Sequence, residues 1–222
     1  MFFTFAFLKI VNVYKMNKVK NIIFDLGVVI ININPDLTAN AMKILGFNEF
    51  EKSYSLFKQT NIFDRLEKGL IDSDYLRNEL GKHSENKISN SDFDKAWNAM
   101  LLDFPENRIN LLKELGKNYN IYLLSNTNAI HYKKYSQDFI DKYGFEFNDL
   151  FVKAYYSFQL EMRKPDVEIF NFALKDSNLI PEETLFIDDL RMNIDSAKST
   201  GLQTMLLDIE KGDDIVYLLN GF

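Results

Sequence analysis

Short apolar runs recur along the chain, and each closes on a polar residue: Asn21–Asp25 (NIIFD), Ile121–Ser125 (IYLLS), Leu185–Asp188 (LFID) and Gln203–Asp208 (QTMLLD). Runs this short, bounded by polar residues, predict strands buried on both faces, as in parallel sheets. Val152–Tyr156 is a poorer candidate for the same element. Between the runs, apolar residues recur at helical spacing over Glu106–Lys117, Ala129–Lys142, Asp166–Asp176, Asn193–Thr200 and Asp213–Leu219. Strand and helix alternating from about residue 105 onward predict an α/β fold, a Rossmann-like doubly wound parallel sheet.

The stretch Asp36–Phe104 breaks the alternation. It holds no convincing strand, and helical spacing appears over Leu37–Leu45, Phe50–Gln59, Asp74–Leu80 and Asp92–Leu101. Gly46, Gly69 and the polar run 83–90 mark its turns, and Pro105 marks the return. The expectation is an α/β core over 16–35 and 105–222 with an all-helical cap inserted over 36–104. Phe57, Phe63 and Trp97 are read as the core of that cap. Residues 1–15 (MFFTFAFLKIVNVYK) lack the basic start and small-residue cleavage site of a signal peptide and are too short to span a bilayer. They are read as a non-native or disordered extension ahead of a start at Met16.

Composition narrows the chemistry. The 222 residues, 46% hydrophobic and 26% charged, are those of an ordinary globular protein. A formal charge of −6 argues against a broad basic face for nucleic acid or an anionic membrane. With no cysteine, disulfides, thiolate zinc sites and a cysteine nucleophile are excluded. With only His83 and His131, so is a histidine-rich metal site. Any metal must be held by oxygen. The lack of disulfides agrees with a cytoplasmic protein, and a monomer or homodimer is expected.

Ligands of open parallel sheets bind at the carboxyl ends of the strands. The polar residues there are Asp25, Ser125-Asn126-Thr127, Arg163-Lys164-Pro165 and Asp188-Asp189. Singly, each has a plain reading: a turn-capping acid, a helix cap, a solvated lysine, a surface turn. Together they supply what metal-assisted phosphoryl transfer needs. An aspartate can be the nucleophile, Mg²⁺ binds through carboxylates, and a lysine with a hydroxyl stabilises phosphoryl oxygens. His131, in the helix after the second strand, is read as an ordinary helical residue.

The runs Phe24–Val29 (FDLGVV), Leu124–Thr127 (LSNT), Arg163–Pro165 (RKP) and Phe186–Asp189 (FIDD) resemble the four ordered motifs of the haloacid dehalogenase (HAD) superfamily. Asn193–Ala197 and Gly201 resemble the helix and turn that follow the last motif. The nearest flavour is the glucose-1-phosphatase-like subgroup, with the phosphatase domain of soluble epoxide hydrolases, which carries a helical cap at this place. The resemblance implies a Mg²⁺-dependent phosphatase acting on a small phosphorylated metabolite, a sugar phosphate by analogy, through an aspartyl-phosphate. It makes Asp25 nucleophile and metal ligand. It gives Ser125, Asn126 and Lys164 to the phosphoryl group. Asp189 then binds Mg²⁺ directly, with Asp188 assisting and the carbonyl of Gly27 as a further ligand.

The chain departs from that pattern twice. Gly27 stands where most HAD phosphatases carry a general acid, although the glucose-1-phosphatase-like subgroup shares the glycine. Glu161 stands where relatives commonly place glycine, and is expected to reshape the Lys164 loop or add charge to the rim. Two further readings stay open: a dehalogenase acting at carbon, and a non-catalytic phosphate-binding protein.

Overall fold

The computed structural model describes residues 19–47 and 61–220. Strands β1 (Asn21–Phe24), β2 (Asn120–Ser125), β3 (Lys153–Tyr156), β4 (Thr184–Asp188) and β5 (Gln203–Leu206) form one parallel sheet in the order β3-β2-β1-β4-β5. Strand β1 is central, with Phe24 in register with Leu123 of β2 and Ile187 of β4. Asp25, Ser125 and Asp188 therefore finish three adjacent strands on one edge, where the strand order reverses.

Side chains alternate across the sheet and fill two cores. Ile22, Phe24, Ile121, Leu123, Leu185 and Ile187 face one layer, and Ile23, Tyr122, Leu124 and Phe186 face the other. The first layer is closed by α5 (Glu106–Leu115), α6 (Ala129–Tyr143) and α10 (Ile215–Leu218), through Ile109, Leu112, Tyr135, Phe139 and Ile215. The second is closed by α8 (Val167–Asp176) and α9 (Arg191–Ser199), through Ile169, Phe170, Ala173, Ile194 and Ala197. A four-residue helix, α7 (Ser157–Leu160), follows β3 directly. Each buried Ile, Leu or Phe contributes about 1.5–3 kcal/mol, which is why unalternating apolar runs can specify a sheet covered on both sides.

The insert after β1 consists, among the described residues, of α1 (Pro35–Ile44), α2 (Ile62–Glu67), α3 (Ser73–Gly81) and α4 (Asn90–Trp97). Asn34 caps α1 by accepting from the Asp36 amide, with Pro35 at the first helical position. Met42, Phe47, Leu66, Leu76, Leu80, Phe93 and Trp97 form a separate apolar cluster that Ile130 of α6 joins. The two crossing segments run antiparallel at the neck. Ile33 bridges Leu101, and the Asn34 amide donates to the Met100 carbonyl.

Helix α2 carries no forewarning in the sequence, because six residues are too few to display a helical period. Strand β3 read poorly because it lies at the sheet edge, with Lys153 exposed. The helix read over Phe50–Gln59 and the extension over 1–15 lie outside the described residues. Among the described residues no helix is long and apolar enough to cross a membrane.

Candidate active site

Asp25 leaves β1 buried, its amide donating to the Ile187 carbonyl at 2.9 Å. The chain then turns sharply through Val28, whose φ of 64° lies in the left-handed region. A β-branched residue is strained there, and the turn is braced from outside. Arg108, buried on α5, donates from Nη1 to the Val28 carbonyl at 2.7 Å and to Asn32 Oδ1 at 3.1 Å. Its Nε and Nη2 donate to Asp214 Oδ2 at 3.0 and 2.8 Å.

Lys164 is 1% exposed and reaches the same edge from the loop after α7. Its ammonium lies 2.5 Å from Asp25 Oδ1 and 2.7 Å from Asp188 Oδ2. Asp188 is otherwise saturated, accepting from Asn193 Nδ2 at 2.9 and 3.0 Å and from the Leu190 amide at 2.8 Å. Asn126 holds the lysine's backbone reciprocally. Its Nδ2 donates to the Lys164 carbonyl at 2.8 Å, and its Oδ1 accepts from the Lys164 amide at 2.9 Å. The Lys164-Pro165 peptide is cis. Glu161 takes the left-handed conformation (φ 56°, ψ 20°) that glycine adopts freely, and its side chain is exposed, outside the cavity lining. The glutamate thus keeps a glycine-like turn at some strain.

Two carboxylates, Asp25 and Asp188, share one ammonium here, and Asp189 adds a third acid nearby. Burial, then the charges of Asp188 and Asp189, raise the Asp25 pKa against the pull of Lys164. Burial followed by Asp188 pushes Asp189 up to about 6. Burial opposes the charge on Lys164, yet Asp25 and Asp188 outweigh it and hold its pKa above the ordinary value. Such an acid excess fits a divalent cation. Among the described residues no three acids or histidines make a self-sufficient metal cage. Asp25, whose Oδ2 is not engaged by Lys164, and Asp189 would instead offer, with the Gly27 carbonyl, an all-oxygen partial set of the kind that suits Mg²⁺ completed by water and phosphate.

A cavity of about 650 Å³ opens over this edge, within the range of small-molecule sites. Asp25, Gly27, Asn126, Lys164 and Asn193 line its floor; Ile33, Thr38, Phe63, Leu66, Trp97 and Met100 line the opposite wall. Phe63 and Trp97, read from the sequence as interior residues of the insert, therefore also face ligand space. Ser125 is buried below the floor and outside the lining, its hydroxyl 3.5 Å from the Asn126 carbonyl. Asp188 is buried and Asp189 half-buried, and neither lines the cavity.

Insert and core meet through charge at the cavity mouth. Arg163 Nη1 lies 2.9 Å from Asp64 Oδ1 and Nη2 lies 3.0 Å from Glu67 Oε2, while Lys68 lies 3.0 Å from Asp166. Glu67, also lining the cavity, has a raised pKa through burial, which Arg163 opposes and Asp64 reinforces. Gly69 packs so closely that a Cβ would sit 2.1 Å from the Phe158 carbonyl.

The sequence reading gave no role to Asn193, Glu67 or Arg163. Asn193, one turn into α9, could have been found from its spacing after Asp188. Glu67 and Arg163 are joined only by the fold.

Comparison with known proteins places this geometry in context. The family described as haloacid dehalogenase-like hydrolase matches residues 22–207. D-ribitol-5-phosphate phosphatase of Bacteroides thetaiotaomicron is 36% identical over 186 residues, covering 84% of this chain and 90% of that protein. A HAD family enzyme from the same organism, crystallised with magnesium and inorganic phosphate, superposes with a TM-score of 0.83 at 35% identity. That alignment covers 90% of this chain and 98% of the other. A sesquiterpene phosphatase of Aspergillus oryzae is 27% identical, covering 82% of this chain and 87% of that protein.

Proposed function

The chain belongs to the haloacid dehalogenase-like hydrolases, and from that premise we propose that it is a Mg²⁺-dependent phosphatase of small phosphorylated metabolites, polyol or sugar phosphates foremost. The observation that carries this reading is the Lys164 ammonium held between Asp25 and Asp188 on the cavity floor. The phosphatase relative and the magnesium- and phosphate-bound neighbour support it. The domain reading goes with it: a core over 16–35 and 105–222, and a cap over 36–104 that covers the substrate. We place the enzyme in the cytoplasm, in keeping with a chain that has no cysteine.

In this reading a carboxylate oxygen of Asp25 attacks phosphorus, the new O–P bond forming as the bond to the leaving alcohol breaks. Water then hydrolyses the aspartyl-phosphate, releasing phosphate and restoring the carboxylate. Lys164 balances charge on the phosphoryl oxygens. Asp188 and Asn193 keep its ammonium aimed, and Asn126 fixes its backbone beside the phosphoryl site. Ser125 supports the same site from beneath. Asp25, Asp189 and the Gly27 carbonyl would hold Mg²⁺, which when bound would supply the positive charge that lets an anionic nucleophile meet an anionic substrate. Gly27 brings no acid, so protonation of the leaving oxygen falls to water or to a cavity acid such as Glu67.

Phosphate release should be measured from polyol, sugar and isoprenoid phosphates with and without Mg²⁺. The expected result is Mg²⁺-dependent release that Asp25→Asn lowers by about 10⁴-fold or more. Well-folded protein that releases no phosphate from the whole panel would defeat the reading. The apolar wall of Ile33, Phe63, Leu66, Trp97 and Met100 favours one second reading, a phosphate ester with an apolar tail, as the sesquiterpene phosphatase relative suggests. The isoprenoid phosphates decide between the two.

A further inference from the structure

His131 occupies the first turn of α6, its amide donating to the capping Asn128 side chain at 3.1 Å. Its ring lines the cavity beneath the cap and stacks on Trp97 at 5.8 Å between centroids, 6° from parallel. Trp97 in turn stacks on Phe63 at 5.6 Å. The ring is therefore held as one leaf of a three-ring stack and has little freedom to rotate.

One ring nitrogen is committed. Nδ1 lies 2.8 Å from Asn98 Oδ1, and Asn98 is itself buried. An amide oxygen only accepts, so Nδ1 carries the hydrogen and Nε2 of the neutral ring is left with a lone pair. Among the described residues Nε2 has no hydrogen-bond partner, and it is not one of the buried unpaired atoms sealed within the protein. It is an acceptor open to ligand space on a wall that is otherwise mostly apolar.

Resting on the phosphatase reading above, we propose that His131 is a specificity-determining residue whose Nε2 accepts a hydrogen bond from a hydroxyl of the substrate's alcohol portion. The substrate class is thereby a phosphorylated polyol or sugar, and the apolar part of the wall packs against its carbon chain. This tautomer cannot also serve as the missing general acid. Burial lowers the ring's pKa to about 4, so near neutral pH Nε2 has no proton to give. A site that offers a hydrogen bond discriminates against an analogue lacking the hydroxyl, because the polar group is then left unpaired.

The test compares D-ribitol 5-phosphate with n-pentyl phosphate, which has the same carbon count and no free hydroxyls, and uses p-nitrophenyl phosphate as a control for the chemistry, all with Mg²⁺. His131→Phe keeps the stack and loses the acceptor. It should lower kcat/KM for the ribitol ester by about 10–100-fold while leaving the pentyl ester and the control within about twofold. His131→Gln, whose amide oxygen reaches the place of Nε2, should keep most of the preference. His131→Asn, too short to reach, should lose it. The Gln and Asn pair decides the matter if the Phe variant does not fold. A ribitol-to-pentyl ratio unchanged in Phe and Asn variants, or a parallel fall on all three esters, overturns the assignment and leaves the phosphatase reading standing. No release from any ester by folded wild-type protein overturns both.

Discussion

The floor and the wall of the cavity face the same space but are built on opposite terms. On the floor, Lys164 and Asp188 are each about 1% exposed, and their charges are matched atom by atom by Asp25, Asn193 and the Leu190 amide. On the wall, three aromatic or imidazole rings stack over an apolar surface, and the ion pairs of Arg163 with Asp64 and Glu67 are about one-third exposed. A buried charge without its partner is costly, so the floor has essentially one workable arrangement. The wall tolerates exchange among residues of similar size. Chemistry common to many substrates suits the first construction, and selection among substrates suits the second.

Removing the floor's ammonium should break the contrast most severely. Lys164→Met leaves Asp25 and Asp188 facing each other in a dry site, and stability in urea without Mg²⁺ should fall by about 3–5 kcal/mol. A loss below about 1 kcal/mol would mean that water already screens the floor.

The next largest effect belongs to the boundary between insert and sheet, where burial lowers the His131 pKa from 6.5 to about 4. The unfolded chain then binds more protons than the folded one between those values. Stability contributed by the neutral ring is complete above pH 6.5 and declines as pH falls toward 4, by about 3 kcal/mol in all. Urea melts of wild type and His131→Gln across that window isolate the contribution from the carboxylates, and parallel curves would show a ring that is hydrated rather than covered.

A smaller, opposite effect tests whether the wall supplies the acid that the floor lacks. A Cβ at Gly27 would meet only Ile33 Cδ1 at 3.5 Å and Asp25 Oδ2 at 3.8 Å, both ordinary contacts, so Gly27→Asp should be accommodated. It is expected to raise kcat by about 10–100-fold on esters with poor leaving groups. An unchanged kcat would indicate that Glu67, or a water it holds, already fills the role. Smallest of all, Glu161→Gly relieves the left-handed backbone and should add about 1 kcal/mol of stability without altering kinetics, because that side chain is exposed and does not line the cavity.

The same contrast governs what could be read from the sequence. Asp25, Ser125 and Asp188 were legible because each closes an apolar run, and a parallel sheet must bring such ends to one edge. Lys164 was legible as part of a contiguous motif, but its burial between two acids was not, since a lysine before proline is ordinarily solvated. The roles of Asn193 and Asn126 depend on side-chain direction, which spacing alone does not supply. The wall was legible only as hydrophobic helix. Phe63, Glu67, Trp97 and His131 come from three elements that nothing in their local sequence marks as neighbours, and α2 is too short to announce itself.

Arg108 ties the Val28 turn to Asp214, which also caps α10 by accepting from the Val216 amide at 2.8 Å. Along the chain those two ends are far apart, and a ribosome delivers them in that order. Asp25 is thus made well before Asp214, and the clamp on its strained turn closes only after β5 has been made. Until Asp214 is made, Asp25 stands beside a turn without its clamp, so the carboxylate gains its braced geometry only together with α10.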